Sequence, residues 1–412
     1  MDCCGGNAGA PVVTTPPPRR VLSLSTLYPN AANRRFGTFV ARSLEALARH
    51  PEWSVTVINP IGVPPIAFGR YKALQAAAVD AVENGVAVHR PTFPLIPRLG
   101  GPINPRLIAR AALPLARRLH AETPFDLVDA QFFYPDGPAA ARIASALDLP
   151  LSIKARGADI HHWGARSSAR WQMLVAGRQA AGMLAVCGPL ADDMAAIGLP
   201  RDKITLHYTG LDRDRFRPLQ HTGMRAQVAQ ELGSAIPAKA PLLVSVGALI
   251  PRKGQALTIE ALSELPDDTV LLLIGKGEDE AALRSLAAER GVTERVHFVG
   301  LLDHDLLPLV LSAADAMVLP SASEGLANAW VEALACGTPL VITDTGGARE
   351  VVTGPDAGVI VERTPAAIAS GVKALLAAPS PRSATAAMAD RFSWETNGAA
   401  LGEYYERLIG AR

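Results

Sequence analysis

A chain of 412 residues that is 49% hydrophobic and 19% charged is too long for one ordinary core and too apolar for a disordered polymer, so two folded domains are expected. No run approaches the roughly 18 uninterrupted apolar residues of a spanning helix, which argues against an integral membrane protein. The net charge of +1 hides an asymmetry: residues 1–190 carry 20 Lys and Arg against 11 Asp and Glu, and the remainder carries 20 against 28.

Residues 1–18 include three consecutive prolines, Pro16 to Pro18, and no apolar signal core. They read as a disordered leader, and the protein is expected in the cytoplasm. Four cysteines without metal-ligand spacing suit a reducing compartment. From Asn84 to Ala121 there is no carboxylate, while Arg90, Arg98, Arg106, Arg110, Arg117 and Arg118 all fall there. A basic half of this kind predicts an anionic partner, either a membrane surface, a phosphate-bearing lipid or an acidic glycan. Peripheral attachment to the inner face of a membrane is one form of that expectation. No recognition module accompanies the charge, so nucleic acid is not expected.

In chain order, a first strand is predicted at Val21 to Leu24, leading through a loop to a helix from Gly37 to Arg49. Val55 to Ile58, Val86 to His89, Leu127 to Asp129, Leu151 to Ile153 and Met183 to Val186 are further strands. Pro91 to Pro105 reads as a loop or a partly mobile excursion. Further on, Leu242 to Val246, Val270 to Ile274, Val296 to Val299, Ala316 to Leu319 and Pro339 to Thr343 are short apolar runs. They alternate with helical stretches at Gln255 to Leu265, Glu278 to Glu289, Leu306 to Ala314, Ala327 to Ala335 and Ala348 to Val352. Continuous apolar strands alternating with helices mean parallel sheets covered on both faces. The expected fold class is α/β, with two Rossmann-like doubly wound domains facing across a cleft. Residues 19–217 would form the first and 218–390 the second, leaving a terminal segment at 391–412.

Three strand-to-helix loops of the second domain carry the chemistry. Glu324 sits in the turn after one strand, and Glu332 lies eight residues on, within the helix. Carboxylates accept hydrogen bonds from hydroxyls, so this pair suggests recognition of sugar or ribose, with backbone N–H groups at the helix start available to phosphate. In the loop from Gly247 to Gly254, Arg252 and Lys253 stand at a helix start, suited to balancing a diphosphate. The third loop runs from Thr345 to Glu350, where Gly346 and Gly347 permit close backbone approach to phosphate.

Together, the Glu324–Glu332 spacing, the Lys253-Gly254 loop and the Gly346-Gly347 turn resemble the retaining glycosyltransferases of family 4, with the GT-B fold. Tyr208 to Asp212 is similar to that family's linker. Phe392 to Glu395 and the helix after it are similar to its closing segment, which crosses back to the first domain. Ala155 to Ile160 resembles an acceptor-domain element, and Phe36-Gly37 the glycine loop after the first strand. The resemblance implies transfer of a sugar from a nucleotide-diphosphate sugar to a glycan or lipid-linked acceptor. It implies that Glu324 meets the transferred sugar, that Lys253 meets the diphosphate, and that Glu332 meets the ribose. Gly37, Gly247, Gly325, Leu326, Ala327, Asn328, Gly346, Gly347 and Glu350 would complete the donor site, with Arg156 and Asp159 on the acceptor side.

This chain departs from the family at Ala248, where many members carry an Arg, and at Arg156, where many carry a His. Arg252 is a candidate substitute for the first. Arginine is no general base, so Arg156 suits phosphate or acceptor binding instead. Two Asp-x-Asp triplets, at Asp212 and Asp303, read as a linker and a helix cap, and neither metal nor cofactor is expected. The alternatives are a sugar-nucleotide epimerase of the same fold and a non-catalytic nucleotide-sugar-binding homologue.

Overall fold

The computed structural model describes residues 17–96, 100–219, 223–303 and 305–411. The leader expected at 1–18 therefore lies almost wholly outside the described residues, as do Arg98 and His304. In chain order the strands are β1 (Arg19–Leu24), β2 (Trp53–Ile58), β3 (Ile61–Val63), β4 (Ala81–Glu83), β5 (Val86–His89), β6 (Thr92–Pro94), β7 (Leu127–Ala130) and β8 (Leu151–Ala155). They continue with β9 (Gly182–Ala185), β10 (Ile204–Leu206), β11 (Leu242–Val246), β12 (Val270–Ile274), β13 (Val296–Gly300), β14 (Ala316–Leu319), β15 (Leu340–Thr343) and β16 (Gly358–Val361).

Two sheets result. The first has the order β10-β9-β8-β7-β1-β2-β5-β4, parallel except for β4, and the second has β13-β12-β11-β14-β15-β16, parallel throughout. Each is doubly wound, because the chain leaves its central strand toward one edge and later returns to build the other. The apolar runs explain why both faces are covered. In β12, Val270, Leu272 and Ile274 join one core while Leu271 and Leu273 join the other, as the two-residue period of a strand requires. The first of those cores continues without a break from the second domain into the first.

After the second sheet the chain returns. Helix Trp394–Gly410 packs on helix Thr38–Ala48, with Leu401, Tyr404 and Tyr405 sharing a buried cluster with Val40, Leu44, Leu47 and Trp53. The approach is close enough to need glycine, since a Cβ at Gly398 would lie 2.8 Å from the Ala46 backbone. Ser43 donates to Asn397 Oδ1 at 2.7 Å, and Asn397 Nδ2 donates to the Tyr208 carbonyl at 2.6 Å, tying the helix to the interdomain linker.

Two readings change. Pro91 to Pro105 is not simply a loop: β6 pairs with β3 in a small parallel ribbon, and a helix begins at Asn104. Three-residue strands flanked by prolines carry too little periodicity to announce themselves. The basic stretch is also less uniform than its composition suggests. Arg90 is buried, donating to Glu83 Oε1 at 2.5 Å and to the Val79 and Pro29 carbonyls, because the antiparallel β4 delivers Glu83 beside it. Arg106, Arg110, Arg117 and Arg118 are exposed along helix Asn104–Glu122.

Gly398→Leu is expected to destabilise the protein by about 1–3 kcal/mol through overpacking against Ala46. Chemical denaturation would show this as a lower midpoint, and an unchanged midpoint would mean the helix is not docked as described.

Candidate active site

In a doubly wound sheet, ligands bind where neighbouring strands send their chains in opposite directions. In the second sheet that point lies between β11 and β14, and in the first between β1 and β7. The loops after β11 and β14 are pressed together. Gly254, at φ 76°, precedes helix Gln255–Ala261, and a Cβ there would lie 2.3 Å from the Pro320 carbonyl oxygen. The Ala322 N–H donates to the Arg252 carbonyl at 2.7 Å.

This closeness sets the central contact. Lys253 Nζ donates to Glu324 Oε1 at 2.6 Å, and Arg252 Nη1 lies 3.4 Å from Glu324 Oε2 while also donating to the Ser323 carbonyl. The Glu324 side chain is only 8% exposed, and a carboxylate so enclosed needs the countercharge. Beside it, a cavity of about 410 Å³ is lined by Val246, Gly247, Ala248, Lys253, Glu324, Leu326, Ala327, Asn328, Ala329 and Glu332 from the second domain. Helix Asn328–Ala335 starts in that wall without a side-chain cap, leaving first-turn N–H groups for a ligand. Glu332 follows one turn later, where burial pushes its carboxyl up to about 7.

The first domain supplies the opposite wall through Phe39, Arg156, Val186 and Thr209. Gly37, at φ 72°, starts the helix that presents Phe39, and it has no room for a Cβ against the Leu27 backbone. Gly325 faces this wall, since a Cβ on it would lie 3.4 Å from the Arg156 carbonyl oxygen.

Other expected residues serve the site from outside the cavity. Gly346, at φ 51°, and Gly347 approach protein backbone rather than open space: a Cβ at Gly346 would lie 2.3 Å from the Glu324 carbonyl oxygen, and the Gly347 N–H donates to the Gly325 carbonyl at 2.7 Å. Their turn braces the Glu324 loop. Glu350 instead crosses between domains, its Oε1 accepting from the Gly188 N–H at 2.5 Å where helix Gly188–Ala196 begins. Asp159 faces inward: its carboxylate accepts from the backbone N–H groups of Phe133, Arg156, Gly157 and Ile160. Burial raises its pKa and these hydrogen bonds oppose the shift. Asp159 thus shapes the Arg156 loop. Phe39 and Val186 belong to no motif, and only the switch-point rule applied to the first sheet would have pointed to their wall; Thr209 lies in the Tyr208 to Asp212 linker segment, which carried no expectation of a place in the cavity. Asp212 Oδ1 caps the Arg215 N–H, and Asp305 pairs with Arg215.

Two Rossmann-like domains, with cations and carboxylates gathered between their switch points, define the GT-B fold with a candidate site in the crevice between the domains. The model "Glycosyltransferase Family 4" matches residues 37–215 and "Glycosyl transferases group 1" matches residues 230–391, and the chain belongs to the family 4 glycosyltransferases. It is 35% identical to a GDP-mannose-dependent alpha-(1-6)-phosphatidylinositol monomannoside mannosyltransferase of Mycolicibacterium smegmatis, over 47% of this chain and 54% of that one. The match thus spans about half the length of that relative. To a 2-deoxystreptamine glucosyltransferase of Streptomyces kanamyceticus it is 28% identical, over 73% of this chain and 82% of that one. Among solved structures, Anabaena HepE in complex with UDP has a TM-score of 0.71 at 19% identity, covering 94% of this chain and all of that one. Sucrose-phosphate synthase from Thermosynechococcus elongatus has a TM-score of 0.73 at 20% identity, covering 96% of this chain and all of that one. These two likenesses establish the fold.

Glu332 has a consequence for pH dependence. Its carboxyl loses a proton near 4.5 when unfolded and near 7 when folded, so the folded state holds that proton over the interval between. The associated stability is fully present below the unfolded value and is lost as pH rises through the folded one. Thermal melts from acid to neutral pH should show Glu332→Gln gaining on wild type as pH rises. Parallel curves would refute the assignment.

Proposed function

We propose that the protein is a retaining glycosyltransferase that moves a sugar from a nucleotide-diphosphate sugar to a hydroxyl of a glycan or lipid-linked acceptor. The observation that carries this reading is the convergence of Lys253 and Arg252 on Glu324 beside the uncapped start of helix Asn328–Ala335. In this reading the diphosphate lies against the helix N-terminus and Lys253, with Arg252 as second cation. Glu324 then turns from its cation partners to the hydroxyls of the transferred sugar, and Glu332 accepts from the ribose. As the glycosidic bond breaks, negative charge grows on the departing diphosphate, and Lys253 and Arg252 stabilise it electrostatically. The acceptor oxygen bonds to the anomeric carbon on the face from which the diphosphate leaves and passes its proton to a diphosphate oxygen there, so the anomeric configuration is retained. Two side-chain cations at the leaving group support a reaction that needs no metal.

Incubation with a panel of nucleotide sugars and candidate acceptors should release nucleoside diphosphate and form a product of unchanged anomeric configuration, with the same rate in EDTA. An isomerised nucleotide sugar would instead indicate epimerisation. Glu324→Ala is expected to lower kcat/KM by on the order of a hundredfold or more in protein that still unfolds cooperatively. Near-normal turnover would sink the site assignment.

We also propose that the first domain rests peripherally on an anionic membrane surface. No helix of the described residues is long and apolar enough to cross a membrane. The reading is supported by Arg106, Arg110, Arg117 and Arg118 along one helix, with Ile96 and Ile103 exposed near its start. Co-sedimentation with vesicles should require anionic lipid and weaken with salt, and binding indifferent to both would count against it.

A further inference from the structure

We propose that Arg156, held in place by Gln131, is the cation that the first domain contributes to the donor's diphosphate. This rests on the nucleotide-sugar reading above. Arg156 follows β8 and Gln131 follows β7, so two neighbouring parallel strands deliver them to one sheet edge. Arg156 Nε donates to the Gln131 carbonyl at 2.8 Å, and Nη2 donates to Gln131 Oε1 at 2.7 Å. The guanidinium also stacks over Phe39, 4.7 Å from the ring centroid. Two contacts to one residue and a stacked face therefore fix the plane, whereas Nη1 makes no hydrogen bond among the described residues.

Gln131 is itself fixed. Its Nε2 donates to Asp129 Oδ2 at 2.7 Å, an oxygen that also accepts from Ser23 Oγ at 2.9 Å. Arginine presents only donors, so Oε1 must be the amide atom that faces it. Although burial brings the Arg156 guanidinium down to about 10, it stays charged at neutral pH.

Phosphate is the ligand this arrangement fits. Arg156 lines the same 410 Å³ cavity as Lys253, Ala248 and the start of helix Asn328–Ala335. Lys253 stands on the other side of that cavity, so a diphosphate between them would be met by a cation from each wall. A guanidinium edge pre-oriented by a fixed amide supplies the first domain's cation with little ordering cost. A cation from each domain on one diphosphate also means that the bound donor draws the two domains together.

The test is calorimetric and kinetic. UDP, GDP and ADP are titrated into wild type, and the tightest binder is compared with its monophosphate in Arg156→Ala and Gln131→Met. Arg156→Ala should weaken the diphosphate about tenfold to a hundredfold and Gln131→Met by about fivefold or more, with smaller losses for the monophosphate. Donor KM should rise in both variants while acceptor KM holds, a split that general destabilisation would not produce. Arg156→Lys, which keeps charge without the fork, should show the same direction if the alanine variant folds poorly. Unchanged diphosphate affinity in the Arg156 variants overturns the inference and leaves the donor reading standing, as does a rise confined to acceptor KM. A loss in Arg156→Ala without one in Gln131→Met overturns the positioning role. Failure of wild type to bind any of the three overturns both readings.

Discussion

The Glu324 carboxylate lies at the floor of an interdomain crevice with its side chain almost wholly removed from water, and such a charge is tolerable only beside a cation. Lys253, on a different loop, supplies that cation at 2.6 Å. The pairing requires the loops after β11 and β14 to lie side by side, which in turn requires those strands to be neighbours although β12 and β13 intervene in the sequence. Gly254 allows the contact by bringing its backbone against Pro320, and Gly346 braces the Glu324 loop from behind. Much of the donor side can thus be understood as the means of placing one carboxylate and one ammonium together. The pair satisfies itself, and in the reaction proposed above the ammonium is also the group that would meet the diphosphate.

The first domain depends on that arrangement from across the crevice. Its wall carries Phe39 and Arg156, and their position relative to Glu324 is set by contacts distant from the cavity. Glu350 caps the Gly188 N–H, one apolar core runs between the domains, and helix Trp394–Gly410 returns to pack on helix Thr38–Ala48. Beneath the Arg156 loop, Lys154 Nζ lies 2.5 Å from His207 Nδ1, and His207 Nε2 donates to the Asn397 carbonyl at 2.9 Å. Burial lowers the basicity of both Lys154 and His207, and their contact links β8, the linker and the returning helix. The closing helix therefore bears on the geometry of the site although it adds no side chain to the 410 Å³ cavity.

Strands β11 to β15 were legible because runs such as VLLLI and AMVL, buried on both faces, are unbroken and apolar with helices between them, whereas β16, partly exposed at the sheet edge, was not. β3, β4, β6 and β10 were not legible either, since three residues are too few to show a period. At the site, Glu324, Lys253, Arg252 and Glu332 could be named from residue type and spacing. Their neighbours Phe39 and Val186 could not, because side chains that merely wall a crevice have no characteristic pattern. Asp159, Gly346, Gly347 and Glu350 were recognisable as unusual, but their tasks lie elsewhere. An acid near a loop reads the same whether it faces a ligand or, like Asp159, four backbone N–H groups.

What the sequence by itself determined was local and periodic: alternating strands and helices, the loops that end in glycine, and a pair of carboxylates eight residues apart beside a Lys and an Arg. These follow from hydrophobic spacing and backbone preference, which act over a few residues. What only the tertiary structure decided was orientation across distance. Arg90 became a buried ion-pair partner of Glu83 rather than part of a basic surface, and Arg156 was turned into the crevice by Gln131, 25 residues away in the chain. Pairing of that kind depends on which strands become neighbours, and that is settled by the free energy of burying both faces of the whole sheet, which no single stretch of sequence contains.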